Sequence, residues 1–358
     1  MDEHGVDVCL LSVGPDLPWL TGYEAMPLER LTMLVVPRDA DATLVVPRLE
    51  QARVVERPEV FGVRPWGETE DPIALVADLV DGATSAAIGD RTWAQFLLAL
   101  QDALPRARFG PASRLLGPLR AVKDAAEVDA LRTAAAAVDR IATALQAGEI
   151  PLVGRSEAEV SAELSRRILA EGHQRVNFAI VAAGANAASP HHEPGPRRIE
   201  PGEVVLCDFG GTWPTDGGAG YCSDITRCVV AGGVAPDAEV AAAYAVLQDA
   251  QTAAVDAGTP GTACQTVDAA ARDVIEAAGH GAHFIHRTGH GIGVEEHEDP
   301  YIVTGNTTAL VAGHAYSVEP GIYVPGRFGI RLEDIVVTTS EGPDPLNRAY
   351  HGLVVVDA

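Results

Sequence analysis

Residues 204–210 read Val204-Val205-Leu206-Cys207-Asp208-Phe209-Gly210, an apolar strand that runs straight into a carboxylate. Three other stretches share this character. Asp224 precedes Ile225-Thr226, Glu319 follows Tyr316-Ser317-Val318, and Glu333 interrupts Ile330-Arg331-Leu332-Glu333-Asp334-Ile335-Val336-Val337. A charge inside a strand bound for the core is costly unless it is paired or coordinates a metal. One such residue would ordinarily be half of an ion pair. Four of them, with His290 set among glycines in Thr288-Gly289-His290-Gly291-Ile292-Gly293, shift the reading toward metal. Four carboxylates and one imidazole form a hard, oxygen-rich set that suits Mn, Co, Fe or Zn better than a thiolate-loving ion. Their four negative charges balance two divalent cations, and two such ions about 3.5–4 Å apart would clamp a hydroxide and polarise a carbonyl.

Around these strands the pattern predicts two domains. Upstream, 6–11, 31–36, 43–46 and 86–88 read as strands rich in Val, Leu, Ile and Ala, and 71–79 and 93–104 read as helices with an apolar face. This α/β unit, residues 1–116, holds no motif that we tie to chemistry. Gly117-Pro118 breaks regularity and marks the boundary. The second domain, 117–358, opens on an Ala-rich helix over 124–147 and on a second helix announced by the capping box Ser156-Glu157-Ala158-Glu159. Strands follow at 176–182, 204–209 and 223–230, then Ala-rich helices at 237–257 and 265–278, then strands at 316–318 and 330–338. The order helix, helix, strands occurs twice, an internal pseudo-duplication of element order rather than of residue identity.

The bulk properties fit a soluble chain. Of 358 residues, 47% are hydrophobic and 21% charged, and 26 Lys plus Arg against 50 Asp plus Glu leave a net charge of −24. That surface disfavours nucleic acid and anionic membrane as partners. The five cysteines are odd in number and form no C-x-x-C pair, so neither a disulfide framework nor a zinc ribbon is indicated. The acidic start, Met1-Asp2-Glu3-His4, lacks the order of a secretory signal, and no apolar run is long enough to span a bilayer. A cytoplasmic location is expected.

Five motifs, in order, carry a resemblance: Asp208-Phe209-Gly210, Ser223-Asp224-Ile225-Thr226-Arg227, Gly289-His290-Gly291-Ile292-Gly293, Glu319-Pro320-Gly321-Ile322-Tyr323 and Arg331-Leu332-Glu333-Asp334. Together they resemble the prolidase and aminopeptidase P branch of the pita-bread metallopeptidases, family M24. The resemblance implies an α/β N-terminal creatinase-type domain followed by an α+β pita-bread catalytic domain. It implies two divalent ions per chain, Mn2+ first, with Co2+, Zn2+ or Fe2+ as alternatives, held by Asp208, Asp224, His290, Glu319 and Glu333, with Asp224 and Glu333 bridging. It implies hydrolysis of the peptide bond before proline with a metal-bound hydroxide as nucleophile. Glu319 would then be the general base, His297 a donor to the scissile carbonyl and His191 a wall of the substrate pocket. Arg331 would pair with the ligand carboxylates or receive a substrate carboxylate.

An Xaa-Pro dipeptidase is the expected activity, since the length matches compact two-domain prolidases. An aminopeptidase P acting on longer proline-containing peptides is the alternative. A creatinase-like C–N hydrolase and an inactive binding module are less compatible with a full ligand set. A dipeptidase needs a cation for the substrate carboxylate, and Arg331, Arg197, Arg198 and Arg64 are the candidates. A homodimer is implied by the resemblance, with Trp19, Tyr23 and Trp66 as aromatic residues of the N-terminal domain available either for its core or for an interface. Between Asp208 and Asp224 the chain carries a connection longer than the tight hairpin of that family, either a solvent loop or a cover for the site.

Overall fold

A computed structural model describes all residues from Met1 to Ala358. It resolves two units, Met1–Arg120 with Thr215–Ala219, and Ala121–Pro214 with Gly220–Ala358. In the first unit the Val- and Leu-rich runs form β1 (Val8–Leu11), β2 (Met33–Pro37), β3 (Thr43–Pro47), β4 (Gly62–Trp66), β5 (Ser85–Ile88) and β6 (Arg108–Pro111), a six-stranded sheet in the order β4-β3-β2-β1-β5-β6. Side chains alternate across it, as a pleat requires. Val8 and Leu10 pack with Met33, Val76 and Leu100 on one face, while Cys9 and Leu11 pack with Leu17, Leu34 and Leu44 on the other. Helices α1 (Asp16–Thr21), α2 (Pro72–Leu79) and α3 (Ala94–Ala103) complete the unit. Tyr23 and Trp66 are buried in its core and so are consumed by folding, and Trp19 packs against it partly buried. Gly117-Pro118 does not break the chain: it lies inside α4 (Ser113–Ala121), where Pro118 removes one N–H donor without ending the helix.

The second unit starts on α5 (Ala125–Gln146) and α6 (Glu157–Ala170), each opened by a complete capping box, Asp124 with Glu127 and Ser156 with Glu159. Strands β7 (Arg175–Ala183), β8 (Val204–Trp213), β9 (Tyr221–Cys222) and β10 (Ile225–Ala231) follow. After α7 (Ala238–Ala257) and α8 (Cys264–Ala277) come β11 (Gly289–Gly291), β12 (Glu298–Ile302), β13 (Ala315–Val318), β14 (Gly321–Val324), β15 (Phe328–Arg331), β16 (Asp334–Thr339), β17 (Gly342–Pro345) and β18 (Val354–Val356). The helix, helix, strands order thus recurs. One sheet runs β18-β10-β8-β7 and the other β12-β11-β13-β16-β17, with β14 and β15 as a separate pair. No helix is long and apolar enough to cross a membrane.

The phase of β8 places the first carboxylate. Val205, Cys207 and Phe209 pack with Val138, Leu145 and Leu164 of α5 and α6, whereas Val204 and Leu206 pack with Leu247, Tyr316 and Val318. Asp208 continues the second set. Two expected strands differ from what forms. The run 330–338 is split, because β15 pairs with β14 while β16 pairs with β13, and the change of partner turns Glu333 out of the ladder, where its N–H donates to the Thr226 carbonyl at 3.3 Å. Ser223 and Asp224 likewise fall outside the strands, between β9 and β10. The long connection after Asp208 is a continuation of β8 paired with β9, Trp213 opposite Tyr221. Its tip groups with the N-terminal unit and does not line the cavity described next.

Candidate metal centre

Asp208, Asp224, His290, Glu319 and Glu333, together with His191, His297 and Arg331, line one cavity of about 730 Å³ in the second unit. Asp208 and Asp224 come from the first sheet, on β8 and just before β10. His290 is the middle residue of β11, Glu319 follows β13, and Glu333 lies between β15 and β16. The glycines around His290 are demanded by packing. A Cβ on Gly289 would collide with the Ser317 carbonyl, and one on Gly291 with the Asp299 carbonyl, so only glycine lets the strands close around the imidazole.

One ligand-type atom each from Asp224, His290 and Glu333 lies within 4.8 Å of the others. His290 Nε2 is 3.1 Å from Glu319 Oε1 and 3.9 Å from Asp224 Oδ2. Ser317 Oγ donates to Glu319 at 3.1 Å and accepts from the His290 backbone N–H at 3.0 Å, which ties these two side chains together. Arg331 is buried, and its donors are committed: Nη2 to Asp208 at 2.5 Å, Nη1 to the Tyr323 hydroxyl at 2.7 Å, and Nε to Thr226 Oγ1 at 3.1 Å. Thr226 passes the bond on to Glu333 Oε2 at 2.6 Å.

The donor set fits a cation. Asp208 Oδ1 and Asp224 Oδ1 are buried with no hydrogen-bond partner, and a buried carboxylate oxygen without a partner is a costly group that a bound cation would satisfy. The protonation pattern agrees. Burial, reinforced by the neighbouring carboxylates, pushes Asp224 and Glu333 well above the usual carboxylate range. Burial also raises Asp208, opposed by Arg331. Glu319 goes the other way: burial works against its charge, but its bond to His290 prevails and holds it low.

The substrate side of the cavity carries the remaining histidines. The His297 ring lies against that of His290, tilted by 38° with centroids 3.8 Å apart, and its Nδ1 faces Arg287 Nη2 at 3.1 Å. An arginine only donates, so Nδ1 accepts and the neutral ring carries its proton on Nε2. Packing in the cavity wall, with His290 and Arg287 alongside, pushes His297 down to about 4. His191 sits on a loop held from behind. Fully buried Glu157 accepts from Ala183 N at 2.9 Å, Asn186 Nδ2 at 3.0 Å and His192 Nε2 at 2.8 Å.

Several residues of this site escaped sequence reasoning. Thr226, Tyr323 and Ser317 lay inside quoted motifs as hydroxyls without an assigned task. His286, bonded to the Tyr323 hydroxyl at 2.9 Å, and Arg287 lie immediately before Thr288-Gly289-His290, and that adjacency was the available signal. Glu157 appeared only as part of a capping box. The other proposed carboxylate receptors are engaged elsewhere: Arg197 with Glu203 at 3.0 Å, Arg198 near Glu159 at 3.9 Å, and Arg64, in the N-terminal unit, with Glu70 at 3.0 Å.

The chain is similar to known proteins along its whole length. Residues 128–340 match Metallopeptidase family M24, and residues 1–122 match the Creatinase/Prolidase N-terminal domain. A probable dipeptidase PepE of Mycobacterium tuberculosis is 44% identical over 99% of this chain and 93% of its own length. An Xaa-Pro dipeptidase of Lactobacillus helveticus is 36% identical over 96% of this chain and 93% of its own length. Among solved structures, a recombinant prolidase from Thermococcus sibiricus superimposes with a TM-score of 0.90 at 35% identity, covering 99% of this chain and 96% of that one. The chain belongs to Metallopeptidase family M24 and carries a Creatinase/Prolidase N-terminal domain.

Proposed function

We propose that this metallopeptidase is an Xaa-Pro dipeptidase with two divalent ions, manganese first among them, held by Asp208, Asp224, His290, Glu319 and Glu333. Divalent-metal binding follows from the family. The observation that carries the reading is the convergence of these five side chains in one cavity, two of them with buried oxygens lacking any partner. The ions, when bound, would lower the pKa of water and polarise the scissile carbonyl. The protein's own groups supply the rest. Glu319, kept ionised by His290, is placed to accept a proton and return it to the departing proline nitrogen. His297 offers its Nε2–H to the carbonyl oxygen as charge develops there. Arg331 and Thr226 hold Asp208 and Glu333 in place, and His191 bounds the pocket.

A bond before proline has no N–H, and proline fixes φ, so peptidases that grip the substrate through that N–H lose their hold. The names of the relatives, dipeptidase and Xaa-Pro dipeptidase, support the dipeptide form of the reading. The test is hydrolysis of a panel of Xaa-Pro dipeptides and longer Xaa-Pro peptides after manganese loading, with metal content measured alongside. Loss of activity on chelation and cleavage confined to bonds before proline are the expected results. Full activity of metal-free protein, or cleavage indifferent to proline, would refute the reading. The homodimer is carried by the resemblance alone, and light scattering decides it.

A further inference from the structure

Two arginines line the cavity, Arg287 and Arg331. Arg331 is spent on Asp208, Thr226 and Tyr323. Arg287 is different. Its guanidinium carbon lies 4.5 Å over the Tyr301 ring, one donor meets His297 Nδ1 at 3.1 Å, and no carboxylate of the described residues pairs with it. A guanidinium has five N–H donors in a fixed fork, and the one bond to His297 leaves several of them for a ligand in the cavity that Arg287 lines. It is half-buried rather than waving in solvent, and the aromatic face beneath it fixes its plane.

A net charge of −24 and a cavity holding four ligand carboxylates, with Glu296 also in its wall, form a poor receptor for an anionic substrate. An unpaired cation in such surroundings is the exception, and it sits beside the histidine that faces the reacting carbonyl. The carboxylate of a dipeptide is carried by the residue next to that carbonyl, with successive Cα atoms about 3.8 Å apart, and Arg287 lies one hydrogen bond beyond His297.

We propose that Arg287 receives the free C-terminal carboxylate of the dipeptide substrate and so sets the substrate length. This rests on the Xaa-Pro reading above and deepens it. The planar fork matches a carboxylate in a way that a neutral peptide carbonyl or a carboxamide cannot. A longer peptide places such a neutral group there and forfeits the charge-assisted bonds.

The experiment compares Ala-Pro with Ala-Pro amide on the manganese-loaded wild type, Arg287→Gln and Arg287→Lys. Calorimetric binding of L-proline against L-prolinamide is measured on the same proteins as a readout independent of turnover. Arg287→Gln keeps a donor for His297 but removes the charge. It should raise KM for Ala-Pro by about 10- to 100-fold, the scale of one charged hydrogen bond, and far more than KM for the amide. Affinity for L-proline should fall in parallel while that for L-prolinamide does not follow. Arg287→Lys, a point charge without the fork, should lie between. If Arg287→Gln loses metal or folds poorly, the wild-type preference for L-proline over L-prolinamide still carries the test, because a receptor for the carboxylate requires it. Equal effects on both substrates, or a wild type that cleaves Ala-Pro and its amide equally well, would overturn the inference and leave the Xaa-Pro reading standing. A wild type that cleaves neither would overturn both.

Discussion

Replacing Arg227 by Met should unfold the second unit more readily than any change on its surface. Arg227 is fully buried, and its donors are all taken: Nη1 by the carbonyls of Glu333 at 2.6 Å and Thr226 at 3.0 Å, Nη2 by Asp334 at 2.7 Å and the Ala349 carbonyl at 3.0 Å, and Nε by the Tyr350 carbonyl at 3.1 Å. Removing one partner of such a pair leaves a buried charge, a loss of about 3–5 kcal/mol. Asp334 keeps Gln251 at 2.9 Å and His351 at 2.7 Å, so the lower end applies to the charge itself, while the orphaned carbonyls add to it. For a unit of this size each kcal/mol is worth about 2–4 °C, which gives a fall in Tm of about 10 °C. The pH dependence has a defined sign. Burial opposes ionisation of Asp334, but Arg227 and His351 win and hold it below its usual value. That stabilisation is present above the unfolded value, near pH 4, and is lost as pH falls through the lower folded one, so the deficit of the variant should narrow in that acid window. Thermal and urea unfolding of metal-free Arg227→Met, Asp334→Leu and the double variant test this. The double variant should recover part of the loss, since no charge is then left unpaired. A single variant that melts within about 2 °C of wild type, or a double variant whose losses simply add, would refute the reasoning.

Asp208→Ala should lose bound manganese and the thermal stabilisation that metal gives the wild type; retention of both by the variant would remove Asp208 from the ligand set. His297→Ala should lower kcat by about 10²–10³-fold, as for loss of one oxyanion donor, with metal content unchanged; an effect on KM alone would make it a positioning residue. Because Asp224 and Glu333 hold protons well above the usual carboxylate range in metal-free protein, metal uptake should release protons and tighten as pH rises. Calorimetry in buffers of different ionisation enthalpy measures this, and affinity independent of pH between about 5 and 8 would contradict it.

What the sequence made legible was set by how local the signal was. The capping box at Ser156, the helix start at Asp124 and the apolar runs of β1 and β8 are written in neighbouring residues, and they form as read. Strands β4 and β6 carry Gly and Pro in short runs, Gly62–Trp66 and Arg108–Pro111, and only pairing within the sheet makes them strands. The division of 330–338 was invisible for the same reason: Ile330, Ile335, Val336 and Val337 have one texture, while their partners lie on β14 and β13. The carboxylates announced themselves because a charge in an apolar run is locally anomalous. Arg331 was legible through its place two residues before Glu333, and it does pair with a carboxylate of the set, Asp208; Thr226 and Arg287 were not, since a threonine or an arginine near a strand is ordinary until its partner is known.

That difference follows from the electrostatics of the site. Of the four carboxylates, Asp208 is paired with Arg331 and Glu319 with His290. Arg331 opposes the effect of burial on Asp208 and His290 overcomes it at Glu319, whereas burial and the neighbouring carboxylates push Asp224 and Glu333 well above the usual carboxylate range. The deficit in compensating charge is therefore greatest at the pair that the resemblance assigns to bridging positions. Asp224 and Glu333 would give up protons on holding a divalent cation, which is the exchange that the calorimetry above measures. The strands supply this deficit by geometry: Glu333 stands at the switch between two ladders and Asp224 in the gap between β9 and β10, where neither can turn back to solvent. The uneven compensation of these charges is thus a property of that backbone arrangement as much as of the five side chains, and the proposed preference for a hard divalent cation would follow from both.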